Sequence, residues 1–442
     1  MCATHYFYFL SSSTSFFMLI SKTGFSGALV QHIAQTYGTP VWAYDAAVIT
    51  QQVAALKRFD TVRYAQKANA NTHILRLMRS LGVKVDAVSL GEVERALAAG
   101  YVAGPVQGAG GKVDYEVVFT ADLLDRPTLA RLVALGVPVN CGSADMLDQL
   151  GAAAPGHPVW LRINPGFGHG HSNKTNTGGE HSKHGIWHTD LALALGKVKQ
   201  HGLRLVGLHM HIGSGVDYRH LQEVCGAMVN LVRQVIEAQM DLQAISAGGG
   251  LSIPYQESQG SVDTEHYYTL WDKARQEIAG LLGHAVGLEI EPGRYLVAQS
   301  GILISEVRAV KQMGSKHFAL VDAGFSDLMR PSMYGSYHGM TVVRADGALA
   351  LEPQRDTVVA GPLCESGDVF TQGEGGVVLT RQLPVAKVGD YLVFEDAGAY
   401  GASMSSNYNT RPLIPEVLLQ DRQVRLIRRR QTVQELVVLE VV

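Results

Sequence analysis

What the sequence lacks narrows its class before any motif is read. It has no basic tract of the kind nucleic acid requires. Its 37 Lys and Arg against 40 Asp and Glu leave a net charge of about −3. The ArgLeuIleArgArgArg run at 425–430 alternates with apolar residues and reads as an edge strand with a solvated continuation. Cysteines number only four, Cys2, Cys141, Cys225 and Cys364. Their spacing fits neither a zinc knuckle nor a disulfide framework, and free thiols point to a reducing, cytoplasmic setting. No unbroken membrane-length apolar run is found near the start. Tyr6 to Ile20 is apolar and aromatic, but SerSerSerThrSer divides it and no basic residue precedes it, so it suits neither a membrane span nor a signal peptide. Residues 1–24 are therefore expected to be an atypical extension. Internal repeats and low-complexity tracts are also absent.

What is present is the composition of a globular protein: 46% hydrophobic residues, 17% charged, and 48 glycines among 442 residues. That length is too great for one ordinary core and argues for two domains. After a helix from about Gly27 to Thr36 and an extended stretch at 38–45, strand and helix patterns alternate. Eight strands are expected: Val62–Lys67, Lys84–Ser89, Val117–Asp122, Val137–Ser143, Val159–Asn164, Leu205–His211, Ala244–Gly249 and Leu288–Glu291. Their continuous apolar runs suit strands buried on both faces. Eight βα units in series predict a closed (β/α)8 barrel over 46–300, and an open doubly wound sheet is the alternative. Past residue 300 the helices fade and strands follow one another. This predicts a mostly antiparallel β domain over 301–442, to which 25–45 contributes.

Chemistry-bearing residues gather at the expected strand ends, where α/β folds place their sites. Lys67, in ValArgTyrAlaGlnLysAlaAsnAlaAsn, is placed at the end of the first strand. An amine held near a barrel axis loses water, which favours its neutral, nucleophilic form. His209 and His211, in GlyLeuHisMetHisIleGlySerGly, alternate and share a face. Gly248, Gly249 and Gly250 allow main-chain amides to approach an anion closely. GluIleGluProGlyArgTyr, 289–295, offers a carboxylate, a rigid turn and a guanidinium. Cys364 and Glu365 pair a proton donor with an anion, and Tyr400 sits among small residues. The polar segment 166–185 carries four histidines without a metal-ligand spacing, so no metal is expected and a lid over the barrel mouth is.

Six ordered motifs, YAQKAN, HMHIGSG, GGGL, EPGRY, GPLCESGD and DAGAYGASMSSNYNTRP, are together far more specific than any one of them. The set resembles the fold-type III pyridoxal-phosphate decarboxylases of the alanine racemase-like barrel type, and within them the bacterial diaminopimelate decarboxylases, from about residue 38 to the C-terminus. That resemblance implies pyridoxal 5'-phosphate as cofactor and a carboxy-lyase. Its reaction would convert meso-2,6-diaminopimelate to L-lysine and CO2, the final step of lysine biosynthesis. Decarboxylation of arginine, ornithine or carboxynorspermidine, or amino-acid racemisation, are the alternatives on the same fold.

It further implies that Lys67 carries the cofactor as a Schiff base and that His211 stacks on its ring. Ser214, Gly248, Gly249 and Gly250 would lie near the phosphate, and Glu291 would face the pyridine nitrogen. Pro292, Gly293 and Asp86 would line the cofactor site, with Arg162 nearby. Arg294, which also borders the cofactor, would hold the distal part of the substrate together with Arg330 and Tyr334. Tyr400 would touch both cofactor and substrate. Cys364 would donate a proton and Glu365 would bind the distal ammonium. Both would reach in from the second subunit of a homodimer with shared sites. Residues 1–24 and the glycine-rich stretch 104–112 depart from the family pattern. No membrane or nucleic-acid partner is implied.

Overall fold

A computed structural model describes residues 20, 23–108, 113–168, 177–211, 213 and 217–441. Eight parallel strands form a closed barrel: Thr61–Ala65, Lys84–Ala87, Val117–Ala121, Val139–Cys141, Pro158–Asn164, Arg204–His209, Ala244–Ser246 and Gly287–Ile290. Each pairs with the next in sequence, and the last pairs with the first through Glu289–Thr61 and Ile290–Val62. Closure removes every sheet edge and excludes the open-sheet alternative. A two-residue strand, Ile186–Trp187, adds to the outside of Pro158–Asn164.

The helices between strands begin where a polar side chain can cap them. Asn71, Ser89, Asp125, Ser143, Asp217 and Asp263 each accept a hydrogen bond from a main-chain amide of the first turn. Alternation along the strands then sorts side chains between barrel axis and helix layer. Arg63 and Glu289 point inward and form a buried ion pair at 2.6 Å, with Arg63 also donating to the Tyr115 carbonyl. Two residues further along each chain, on the same inward face, come Ala65 and Glu291 at the C-terminal mouth.

The second domain is a nine-stranded mixed sheet. Val41–Asp45 lies at its centre, antiparallel to Gly301–Met313 and parallel to Glu416–Gln420. A second parallel pair joins Lys316–Val321 to Gln354–Ala360. Gln423–Arg428, which takes in most of the basic run, is an edge strand. The helix Gly27–Tyr37 packs on this sheet through Val30 and Ile33. Ile20, which the sequence pattern assigns to the extension, is buried in the same layer. One apolar core runs from the barrel helices through Trp42, Tyr44 and Tyr64 to Phe394 and Leu418, so the domains share a packed junction. No helix among the described residues is long and apolar enough to cross a membrane.

Candidate active site

A pocket opens at the C-terminal mouth of the barrel. Its lining takes in Lys67, Asp86, Arg162, His211, Gly249, Gly250, Glu291, Gly293, Arg294 and Tyr400, together with Ala65, Thr120, His209 and Leu251. The first ten residues are among those singled out in the sequence. Pro292 is buried just behind, its carbonyl accepting from the Ala65 amide at 3.2 Å. Ser214 lies outside the described residues, as do 169–176 of the expected lid.

The first strand ends at Ala65, two residues earlier than expected. Lys67 sits in a short 3-10 turn, Gln66–Ala68, and is exposed on the pocket wall. Its exposure departs from the expectation of a desolvated amine, because Lys67 falls in this turn and not within the buried strand. The turn is held from both domains. Tyr64 donates to the Asn69 carbonyl at 2.9 Å. From the β domain, the Tyr400 amide donates to the Ala68 carbonyl at 2.8 Å and the Ser403 hydroxyl at 3.0 Å. Tyr400 itself adopts a left-handed backbone (φ 57°), a strained conformation for a bulky residue that this contact helps to hold.

Two buried carboxylates face the same space and differ in their environment. Glu291 receives His209 Nε2 at 2.8 Å and the Ser246 hydroxyl at 2.9 Å. Burial alone would raise its pKa, but His209, Ser246 and Arg63 more than offset that and hold it well below the ordinary carboxylate range. Asp86 has no comparable support, and its Oδ1 is buried without a hydrogen-bond partner among the described residues. Burial first, and the nearby Glu291 charge second, push it up to about 8 despite Lys67 and Thr120. His211 is pushed well below the usual histidine range by desolvation and by the Arg162 and Lys67 charges, and its Nδ1 is buried without a partner among the described residues.

The three glycines have a steric reason. A Cβ on Gly249 would lie 2.6 Å from the Glu291 carbonyl oxygen, and one on Gly248 would lie 2.4 Å from that of Met210. Gly248 (φ 61°) and Gly250 (φ 104°) also take backbone conformations that other residues rarely adopt.

On the pocket wall, Arg294 donates to the Tyr255 hydroxyl at 2.9 Å, and its guanidinium lies 5.1 Å from the Tyr400 ring centroid. Arg330, 5% exposed, lies over the Tyr255 ring at 4.8 Å and contacts His338. Tyr334 ends the short helix Arg330–Tyr334, half-buried, close enough to act on the Arg294 charge. Cys364 and Glu365 are not brought into the pocket. Both are exposed, with the Cys364 amide donating to Asn409 Oδ1 at 2.9 Å. The described residues of the expected lid are tied to the barrel: His184 is paired with Asp122, whose other oxygen accepts from the Gly185 amide at 3.1 Å, and the Thr177 hydroxyl donates to the His211 carbonyl at 3.1 Å.

Sequence reasoning missed Thr120, Tyr255 and His338 and gave His209 no role of its own. Thr120 had a signal, since it nears the C-terminal end of a barrel strand. Tyr255 and His338 had none, because their contacts depend on how the β domain folds over the mouth.

A family model described as "Pyridoxal-dependent decarboxylase, pyridoxal binding domain" matches residues 46–298. The diaminopimelate decarboxylase of Escherichia coli (strain K12) is 68% identical over 405 residues, covering 91% of this chain and 94% of that protein. A crystal structure of diaminopimelate decarboxylase superposes with a TM-score of 0.89 at 65% identity, covering 95% of this chain and 97% of that one. The Helicobacter pylori diaminopimelate decarboxylase complexed with L-lysine gives a TM-score of 0.80 at 30% identity, covering 92% and 98%. With that agreement across nearly its whole length, the chain belongs to the diaminopimelate decarboxylase family of pyridoxal-dependent decarboxylases.

Proposed function

We propose that the protein decarboxylates meso-2,6-diaminopimelate to L-lysine and CO2, with pyridoxal 5'-phosphate as cofactor. The observation that carries the substrate is the pair Arg294 and Arg330. These guanidiniums are packed among tyrosines and a histidine, and neither is paired with a carboxylate among the described residues. Two such charges, withdrawn from water and uncompensated, call for an anionic ligand. Ornithine and arginine, whose far ends are an amine and a guanidine, have no distal carboxylate to offer. Diaminopimelate does.

The pocket fits the cofactor on its own features: an amine on the wall, a glycine-crowded turn that admits no Cβ, and a buried ionised carboxylate. When bound, the cofactor supplies an electron sink for the pair left by the departing carboxylate. Lys67 would supply the amine that tethers it. Glu291, kept ionised by His209 and Ser246, would keep a proton on its ring nitrogen. His211, kept neutral, would lie against its ring, and the Gly248–Gly250 amides with Ser214 would hold its phosphate. Asp86, Arg162, Pro292 and Gly293 would complete the wall. Tyr400 would touch both cofactor and substrate, while Arg294, Arg330 and Tyr334 would bind the distal carboxylate.

Cys364 and Glu365 act from the partner subunit of a homodimer. This is supported by their exposure and by their absence from the pocket of their own chain. Cys364 of the partner subunit delivers a proton to the carbon that has lost CO2, and Glu365 of the partner subunit binds the distal ammonium. On this reading 46–300 is the cofactor barrel, and 25–45 with 301–442 form the second domain. The three described cysteines are free thiols, which supports a cytoplasmic setting.

The test is CO2 release by the purified, cofactor-loaded protein from meso-diaminopimelate, arginine, ornithine and carboxynorspermidine in parallel. Release from meso-diaminopimelate alone, with stoichiometric L-lysine, is expected; no release from it would refute the proposal.

A further inference from the structure

The two arginines of the substrate chamber are held differently. Arg294 donates to a hydroxyl. Arg330 meets a ring nitrogen: its Nη1 lies 2.9 Å from His338 Nε2. A guanidinium can only donate, so His338 Nε2 must accept there. The other ring nitrogen, Nδ1, lies 2.8 Å from the Glu395 carbonyl oxygen, which can only accept. Both contacts demand the same neutral tautomer, with the proton on Nδ1. The ring is 1% exposed and stands edge-on to Tyr255, with centroids 5.6 Å apart and planes at 78°. Arg330 covers the face of that same tyrosine at 4.8 Å. The His338 main chain is fixed as well: Arg381 donates to its carbonyl at 2.7 Å, and the Glu395 amide donates to the Gly339 carbonyl at 2.9 Å.

The chemical type of this partner matters. A carboxylate in the same place would hold Arg330 firmly, but it would also neutralise it. A neutral imidazole fixes the direction of the guanidinium and leaves its charge unspent. Loss of water, together with the Arg330, Arg294 and Arg381 charges, keeps the imidazole neutral against the opposing pull of the Glu395 carbonyl.

We propose that His338 is a positioning residue for substrate selection, aiming the Arg330 guanidinium at the distal carboxylate of the substrate while leaving its full charge available. This rests on the function proposed above and extends it to a residue outside the pocket lining. It follows that His338 matters for ligands carrying that carboxylate and not for those without it. L-lysine retains the carboxylate; 1,5-diaminopentane is the same chain lacking it.

The test uses the cofactor-loaded enzyme, titrated with each amine by calorimetry. His338→Asn keeps a donor for the Glu395 carbonyl but is too short to reach Arg330. His338→Gln is long enough to present an amide oxygen to Arg330. His338→Asn is expected to weaken L-lysine by about 10-fold or more, the loss of one charge-assisted hydrogen bond, and to leave 1,5-diaminopentane unchanged. In steady state it raises KM for meso-diaminopimelate with little change in kcat, and His338→Gln recovers most of the loss. If wild type releases CO2 but L-lysine binding is unchanged in His338→Asn, the positioning role is overturned alone. An equal loss for both amines marks a merely structural residue and overturns it too. Should His338→Asn fail to fold, His338→Phe, which keeps a ring beside Tyr255 but offers Arg330 no acceptor, decides by the same comparison: a lost L-lysine preference with 1,5-diaminopentane unchanged supports the role, and a preference near wild type overturns it. A wild type that releases no CO2 from meso-diaminopimelate overturns the functional reading and this inference with it.

Discussion

Glu291 and Asp86 show how one pocket can give two carboxylates opposite tasks. Like charges in a shared buried space are driven apart, and the better-solvated partner keeps its charge. Here Glu291 has His209 and the Ser246 hydroxyl, whereas one Asp86 oxygen has no partner among the described residues. Glu291→Gln removes the charge and keeps the shape. It is expected to retain cofactor while lowering kcat by roughly 100-fold, the scale of losing one preorganised electrostatic contact. The cofactor absorbance separates that outcome from loss of binding. Asp86 gives a pH prediction for cofactor-free protein. Its folded pKa of about 8 lies above the ordinary aspartate value of 3.8, so between those values the folded chain holds a proton that the unfolded chain has released. Stability from this group is therefore full below about pH 4 and is lost as pH rises toward about 8. Asp86→Asn abolishes the dependence. Melting curves are expected to show the variant more stable than wild type near pH 8, and the gap should close as pH is lowered.

At the scale of elements, the barrel was legible because its strands are buried on both faces. Val117–Ala121 and Pro158–Asn164 open on runs of consecutive apolar residues, and a pattern of that kind suits a strand covered on both faces. Strand ends were less legible, since hydrogen bonding rather than apolar pattern decides them. The chain after Ala65 turns into Gln66–Ala68 because the β domain bonds the Ala68 carbonyl, a long-range contact that no local window contains. The same holds for Tyr255 and His338, which reach Arg330 only once the second domain has closed over the mouth. Lys67, Glu291 and Arg294 were found because each belongs to a compact motif at a strand end. The junction of the two domains depends on close main-chain approach. A Cβ on Gly398 would lie 2.0 Å from the Val297 carbonyl oxygen and 2.9 Å from the Gly301 amide nitrogen. Neither neighbour is a flexible side chain, so backbone must move. Gly398→Ala is expected to lower the melting temperature by several degrees and to weaken cofactor retention, because the shift carries Tyr400 away from the Lys67 turn. Normal cofactor retention in a destabilised variant would separate the junction from the site.

At the scale of the whole molecule, one chain does not bring all of the expected groups together. Its pocket contains Lys67, Glu291 and Arg294, while Cys364 and Glu365 are exposed elsewhere on the β domain. If the sites are completed across a homodimer, each site takes Lys67 from one subunit and Cys364 from the other. Lys67→Ala and Cys364→Ala, each nearly inactive as a homodimer, then carry complementary defects. Equal mixing with free exchange places half of the dimers in the mixed form by statistics. In a mixed dimer, one site combines both substitutions and the other has neither. Activity is therefore expected to recover to about a quarter of wild type, since half of the dimers each regain one of two sites. Recovery should grow with the time allowed for exchange and should fail if the subunits are cross-linked before mixing. A mixture that stays at the level of its parents, although exchange is demonstrated by mass, would place Cys364 and Lys67 of the same chain in one site. It would then require the segment around Cys364 to leave its bond to Asn409 and fold over its own barrel.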